Sequence, residues 1–205
     1  MEPQYHTLYD HGVLSYMRGS LDGLGMPDKT VETLVHRGMP VFDPLEPPLG
    51  LLFHEALPLQ DIHGAYIAIG REIWSEGLHV AIHKDTGGVW AVTEGGTKKP
   101  TYINASIDSL LAFMDRVLRF KQQTERLQPD PPPTILTAEQ FREKLEKFRR
   151  GEIKPGTRLD ALQAEREWKS AFEQMKRELK DMDPNAVRSS SWWGIVLEEM
   201  KDRLR

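Results

Sequence analysis

The chain has 205 residues, with 27 Lys and Arg against 31 Asp and Glu, a formal net charge of −4, and no cysteine. That length allows one ordinary domain, or one domain with a helical appendage, and the missing cysteine excludes disulfides, zinc–thiolate centres and a thiol nucleophile. Residues 1–128 hold 11 basic against 16 acidic side chains and residues 129–205 hold 16 against 15, an acidic front half that argues against a nucleic-acid partner and suits a basic protein partner or an ordinary solvated surface.

In chain order, Met1-Glu2-Pro3-Gln4-Tyr5-His6 is polar and lacks the basic-then-apolar order of a signal peptide. No apolar stretch reaches the roughly 18 uninterrupted residues of a membrane span, so the expectation is a soluble cytoplasmic protein with no membrane contact. Leu8 to Leu24 carries apolar residues at near-helical spacing, broken by Gly12 and Gly19, and predicts a short helix. Gly25-Met26-Pro27-Asp28 reads as a turn, and Val31 to Val35 is an apolar patch without an assignable element. The prolines between Pro40 and Pro58 fit an extended surface loop, with a first strand over Leu49 to Phe53.

Residues 64–104 carry the clearest pattern. Ala65 to Ile69, Leu78 to Ile82, Val89 to Val92 and Thr101 to Ile103 are short β-branched or aromatic runs, each bounded by glycine-containing turns. Connections that short pair neighbouring strands antiparallel. Tyr66-Ile67-Ala68-Ile69 is apolar on both faces, as a covered central strand would be. A helix follows, capped by Ser106, with Asp108 in its first turn and Ile107, Leu110, Leu111, Met114, Val117 and Leu118 on one face to cover the sheet.

Pro129-Asp130-Pro131-Pro132-Pro133 reads as a stiff linker, and beyond it the composition turns charged and helical. Thr137-Ala138-Glu139-Gln140 forms a capping-box pattern, Gly151 to Gly156 breaks that helix, and a longer one starts near Leu159 and stops at Asp183-Pro184-Asn185. Ser191 caps a last helix from Trp192 to Leu204. The organisation expected is therefore an α+β domain over residues 1–128, a proline-rich linker over 129–136 and a helical extension over 137–205.

No constellation for catalysis emerges. All seven histidines fall within residues 6–83, but His79 and His83 on a strand lie roughly 13 Å apart, too far for one ion, and no metal and no cofactor are expected. Gly87-Gly88 fits a hairpin turn better than a phosphate loop, and no nucleophile-elbow serine occurs. Adjacent helical residues point about 100° apart, so Trp192 and Trp193 are read as one core indole and one at a domain seam.

Three ordered stretches resemble a known family. Tyr66-Ile67-Ala68-Ile69-Gly70-Arg71-Glu72 is similar to its apolar strand ending in Ile-Gly-Arg-acid. Asp85-Thr86-Gly87-Gly88-Val89 is similar to its Asp-x-x-Gly-x-Val hairpin, with Asp85 one residue nearer to Gly87 and Val89 than in that pattern, and Asn104-Ala105-Ser106 to its Asn-x-Ser lead into a helical stretch that reaches Phe113. Gly25-Met26-Pro27 and Trp192-Trp193 through Glu198-Glu199-Met200 match its start and its C-terminal extension. The chain in this respect resembles the fourth family of the SUKH superfamily of immunity proteins, best over residues 64–120.

The resemblance implies an α+β fold with a twisted, largely antiparallel sheet and packed helices. It also implies a non-enzymatic activity: binding and neutralising a cognate toxin of a bacterial polymorphic toxin system, often a nuclease or deaminase. The alternatives are a general interaction scaffold without a toxin and an unrecognised hydrolase or ligand-binding protein. For the partner-binding surface, the loop Glu72-Ile73-Trp74-Ser75-Glu76 offers an aromatic flanked by acids, and Glu72, Trp74 and Glu76 are the residues expected to make contact.

Overall fold

A computed structural model describes residues 12–45, 47–53, 59–96, 98–127, 138–150 and 158–202. The chain divides into two compact units, Met1–Arg119 with Lys176–Arg205, and Phe120–Met175.

The first unit begins differently from the helix expected over Leu8 to Leu24, whose opening residues lie outside those described. Val13–Leu14 (β1) is a strand paired antiparallel with Met39–Pro40 (β2). Among the described residues of that stretch, only Arg18–Leu21 (α1) is helical. Glycine decides this, because Gly12 and Gly23 sit at φ +114 and +81, outside the helical region. The pairing is close enough that a Cβ on Gly38 would stand 2.5 Å from the Leu14 carbonyl oxygen.

The unassigned patch at Val31 to Val35 belongs to a helix, Asp28–His36 (α2), which buries Thr30, Val31 and Leu34. Pro27 precedes its first residue in extended conformation, and Asp28 places a carboxylate in its first turn. The strand expected from Leu49 starts later, at Leu51–Phe53 (β3). Leu49 itself sits at φ 61 in a 3-10 turn over Pro48–Gly50.

Among the described residues the main sheet has six strands, all paired antiparallel. Asp61–Ile62 (β4), Tyr66–Glu72 (β5), Leu78–His83 (β6), Val89–Thr93 (β7) and Thr101–Asn104 (β8) follow β3. The order is β3-β5-β6-β7-β8, with β4 beside the other end of β5. β5 is thus the interior strand its doubly apolar pattern predicts, with Ile67, Ala68 and Ile69 fully buried. The brief β4 was not foreseen, since two residues carry no period.

Cross-strand partners share a face. One face carries the row Ile67, Ile82, Val89 and Asn104, and the other the row Ala68, Ala81, Trp90 and Tyr102. On the second face Tyr66 and Trp90 pack over a cluster of Ile62, Ala68, Ala81 and Val92. Ile107–Thr124 (α3) starts where expected: the Ser109 amide donates to Ser106 Oγ at 3.2 Å. Its Ile107, Leu110, Leu111 and Met114 are buried.

The long helix Arg158–Met182 (α5) ends at Asp183, as its Asp-Pro-Asn sequence predicts. One oxygen of buried Asp183 accepts from Tyr102 Oη and the Ala105 amide, each at 2.9 Å, and the other accepts from the Asn185 and Ala186 amides. A single carboxylate therefore ties the end of α5 to the junction between β8 and α3. Ser191 caps Trp192–Asp202 (α6), accepting from the Gly194 amide at 3.1 Å. Both indoles of the Trp192-Trp193 pair are buried in this unit. Trp193 donates to Asn104 Oδ1 at 2.8 Å and lies 5.5 Å from the Phe113 ring.

The second unit holds Ala138–Arg149 (α4) and an aromatic cluster in which Trp168 and Phe172 stack at 5.0 Å and both meet Phe120 edge-on. This follows from the sequence spacing of Trp168, Phe172 and Met175, all buried. The proline linker, the Thr137 cap and the break at Gly151 to Gly156 lie outside the described residues.

Candidate partner-binding loop

The loop between β5 and β6 is built on β3. Leu51 pairs with Glu72 at the end of β5, and the Ile73 amide donates to the Gly50 carbonyl at 2.8 Å. This brings the next side chain, Trp74, across the Gly50 backbone. A Cβ on Gly50 would stand 2.6 Å from Trp74 Cε3 and Cζ3, so the indole lies directly against a backbone without a side chain. Gly50 is at φ +67, a conformation glycine adopts without strain. The ring is nevertheless 63% exposed: one part is seated and the rest faces solvent.

The two acids of the loop differ. Glu72 is half-buried, and its Oε1 accepts from Trp192 Nε1 at 3.0 Å. That contact joins the loop to α6. Glu76 is exposed, beside Gly77, whose φ of +70 turns the chain into β6. The Gly77 carbonyl accepts from the Glu94 amide at 3.2 Å, which brings a third acid to the base of the loop. Glu94 accepts from Gln60 Nε2 at 3.1 Å and lies 3.9 Å from His79 Nε2.

The structure thus brings Trp74, Glu76 and Glu94 to one end of the sheet as exposed groups, and gives Glu72 a hydrogen bond within the fold. Gly50, Glu94 and Trp192 were not singled out from the sequence for this loop. The antiparallel register of β6 and β7, which follows from their short turn, was the one available signal for Glu94. Nothing in the linear sequence links residue 50 to 74 or 72 to 192.

His79 faces Val92 across β6 and β7, whereas His83 faces Tyr66 across β5 and β6, its ring edge-on to the tyrosine at 5.1 Å. The two histidines do not converge. Among the described residues no group of three or more His, Asp or Glu is placed to hold a metal ion. Among those residues, too, no helix is long and apolar enough to cross a membrane.

No curated protein and no solved structure matches the chain. The family model described as SUKH-4 immunity protein matches residues 10–199, a span that takes in β1 to β8 and most of α6. The chain belongs to the SUKH-4 immunity protein family.

Proposed function

We propose that this protein acts in the cytoplasm as a non-catalytic immunity protein, binding a cognate toxin and blocking it through the β5–β6 loop. The observation that carries the choice of surface is Trp74, an indole seated on Gly50 yet 63% exposed. A large aromatic held in one position loses little freedom on binding, and tryptophan is enriched among residues that dominate interface energies. Glu76 and Glu94 add negative charge on the same end of the sheet. A toxin that acts on nucleic acid, whether nuclease or deaminase, presents a basic surface to its substrate, and acids around an aromatic anchor complement it. Glu72 acts by holding the loop to Trp192 rather than by offering a free carboxylate.

The test is affinity capture of the full chain from its native cells, with mass spectrometry of what is retained, followed by co-expression of the captured protein. The expected result is a small basic protein whose expression arrests growth unless this chain is present. A captured partner that is harmless when expressed alone overturns the toxin reading and leaves an interaction scaffold.

A further inference from the structure

A cleft of about 270 Å³ lies away from the β5–β6 loop, walled by the start of α2 (Pro27, Lys29, Thr30, Thr33), the β6–β7 turn (Thr86, Gly87) and the start of α3 (Ala105 to Asp108). We propose that this cleft binds a small tetrahedral oxyanion, a phosphate or the phosphoryl end of a phosphomonoester.

The first-turn amides of the 18-residue α3 have no acceptor within the helix, and the helix dipole favours a negative charge beside them. Ile107 and Asp108 carry such amides into the cleft wall. An independent feature is the Thr30 hydroxyl. Thr30 is only 7% exposed and lines the cleft, and its hydroxyl makes no hydrogen bond to any described residue. The hydroxyl itself is open to the cleft rather than sealed off, so a ligand oxygen can take the place of solvent on it.

The space in front of that hydroxyl depends on a glycine. A Cβ on Gly87 would stand 2.7 Å from Thr30 Oγ1, and Gly87 is at φ +71. Lys29 supplies the cation, as it pairs with no carboxylate among the described residues. Thr86 and Ser106 add hydroxyls to the wall. Asp108 would repel an anion, but its oxygens are engaged by Arg37 at 2.7 Å and Thr33 at 3.3 Å, leaving its amide as its contribution.

The experiment is amide-resolved NMR of the full chain at constant ionic strength, titrated with inorganic phosphate, with a nucleoside 5′-monophosphate, and with chloride as control. Saturable shifts at Thr30, Gly87, Ile107 and Asp108 with phosphate but not chloride are expected. Thr30→Val, which keeps the shape and removes the hydroxyl, should weaken binding about tenfold. Lys29→Met should weaken it further, and Gly87→Ala, if folded, should abolish it. Equal affinity for the two phosphates means the inorganic ion suffices, while tighter monophosphate binding identifies an ester. Shifts that track ionic strength alone, or Thr30→Val binding phosphate as the native chain does, overturn the proposal whatever the outcome for toxin binding.

Discussion

The indole of Trp74 rests on the α-carbon of Gly50, with ring atoms 2.6 Å from where a Cβ would be. The two residues are 24 positions apart in sequence and are joined by the pairing of β3 with β5. This contact seats one part of an exposed tryptophan against the backbone, and it sets up a double test. Trp74→Ala should cost more than about 2 kcal/mol of toxin binding, with thermal stability nearly unchanged because the ring is mostly solvent-facing. Gly50→Ala should cost about 1–3 kcal/mol of stability from the left-handed backbone, and should weaken binding by displacing the ring. A Trp74→Ala protein that unfolds early but binds normally would make the loop purely structural.

Charge reversal separates the acids. Glu76→Lys and Glu94→Lys are expected to slow association with a basic partner and to reduce its salt dependence, with little change in melting temperature. Glu72→Ala should behave in the opposite way. It strips the acceptor from buried Trp192 Nε1, so it should lower stability by about 1–3 kcal/mol before it affects binding. Surface plasmon resonance at two salt concentrations, paired with thermal unfolding, distinguishes the two behaviours.

The sheet was legible because its strands are short, β-branched and separated by glycine turns, so that local sequence and pairing agree. α3 was legible for a similar reason: cap, dipole and apolar face coincide over Ser106 to Leu118. The start of the chain was not. Apolar residues between Gly12 and Leu24 have helical spacing, but glycines at positive φ turn Val13-Leu14 into a strand whose partner, Met39-Pro40, lies 26 residues on. The exposure of Trp74 and Glu76 could be anticipated from a turn sequence. The hydrogen bond that ties half-buried Glu72 to Trp192 could not, because it joins residues separated by 120 positions.

Packing of the buried face of α3 gives a direct check of the fold. Leu111 is fully buried on α3, in the same turn as Leu110 and Met114. Leu111→Ala should lower the free energy of unfolding by about 2–5 kcal/mol, the transfer cost of the lost methyl and methylene groups plus that of the cavity left behind. Denaturant unfolding with an unchanged m-value would show a loss of packing alone. A change below about 1 kcal/mol would mean that this helix face is not core.

Alkaline pH offers a last test, through two phenols held neutral by the fold. Burial raises the Tyr16 pKa, and burial together with the Asp183 carboxylate raises that of Tyr102, whose hydroxyl donates to Asp183 at 2.9 Å. In the unfolded chain a tyrosine ionises near pH 10. Above that pH the unfolded state has released protons that the folded state still holds, so the folded state binds more protons and stability falls as pH rises. Below about pH 10 the contribution is complete. Tyr102→Phe should therefore be less stable than the native chain at neutral pH, by about 1 kcal/mol for a partly exposed hydrogen bond to a carboxylate. The gap should narrow as pH rises above 10, because only the native chain loses the Tyr102 contribution there. Urea unfolding of both proteins between pH 7 and about pH 11 reads this directly. Parallel stability curves across that range would show that the Tyr102–Asp183 hydrogen bond does not hold the phenol neutral.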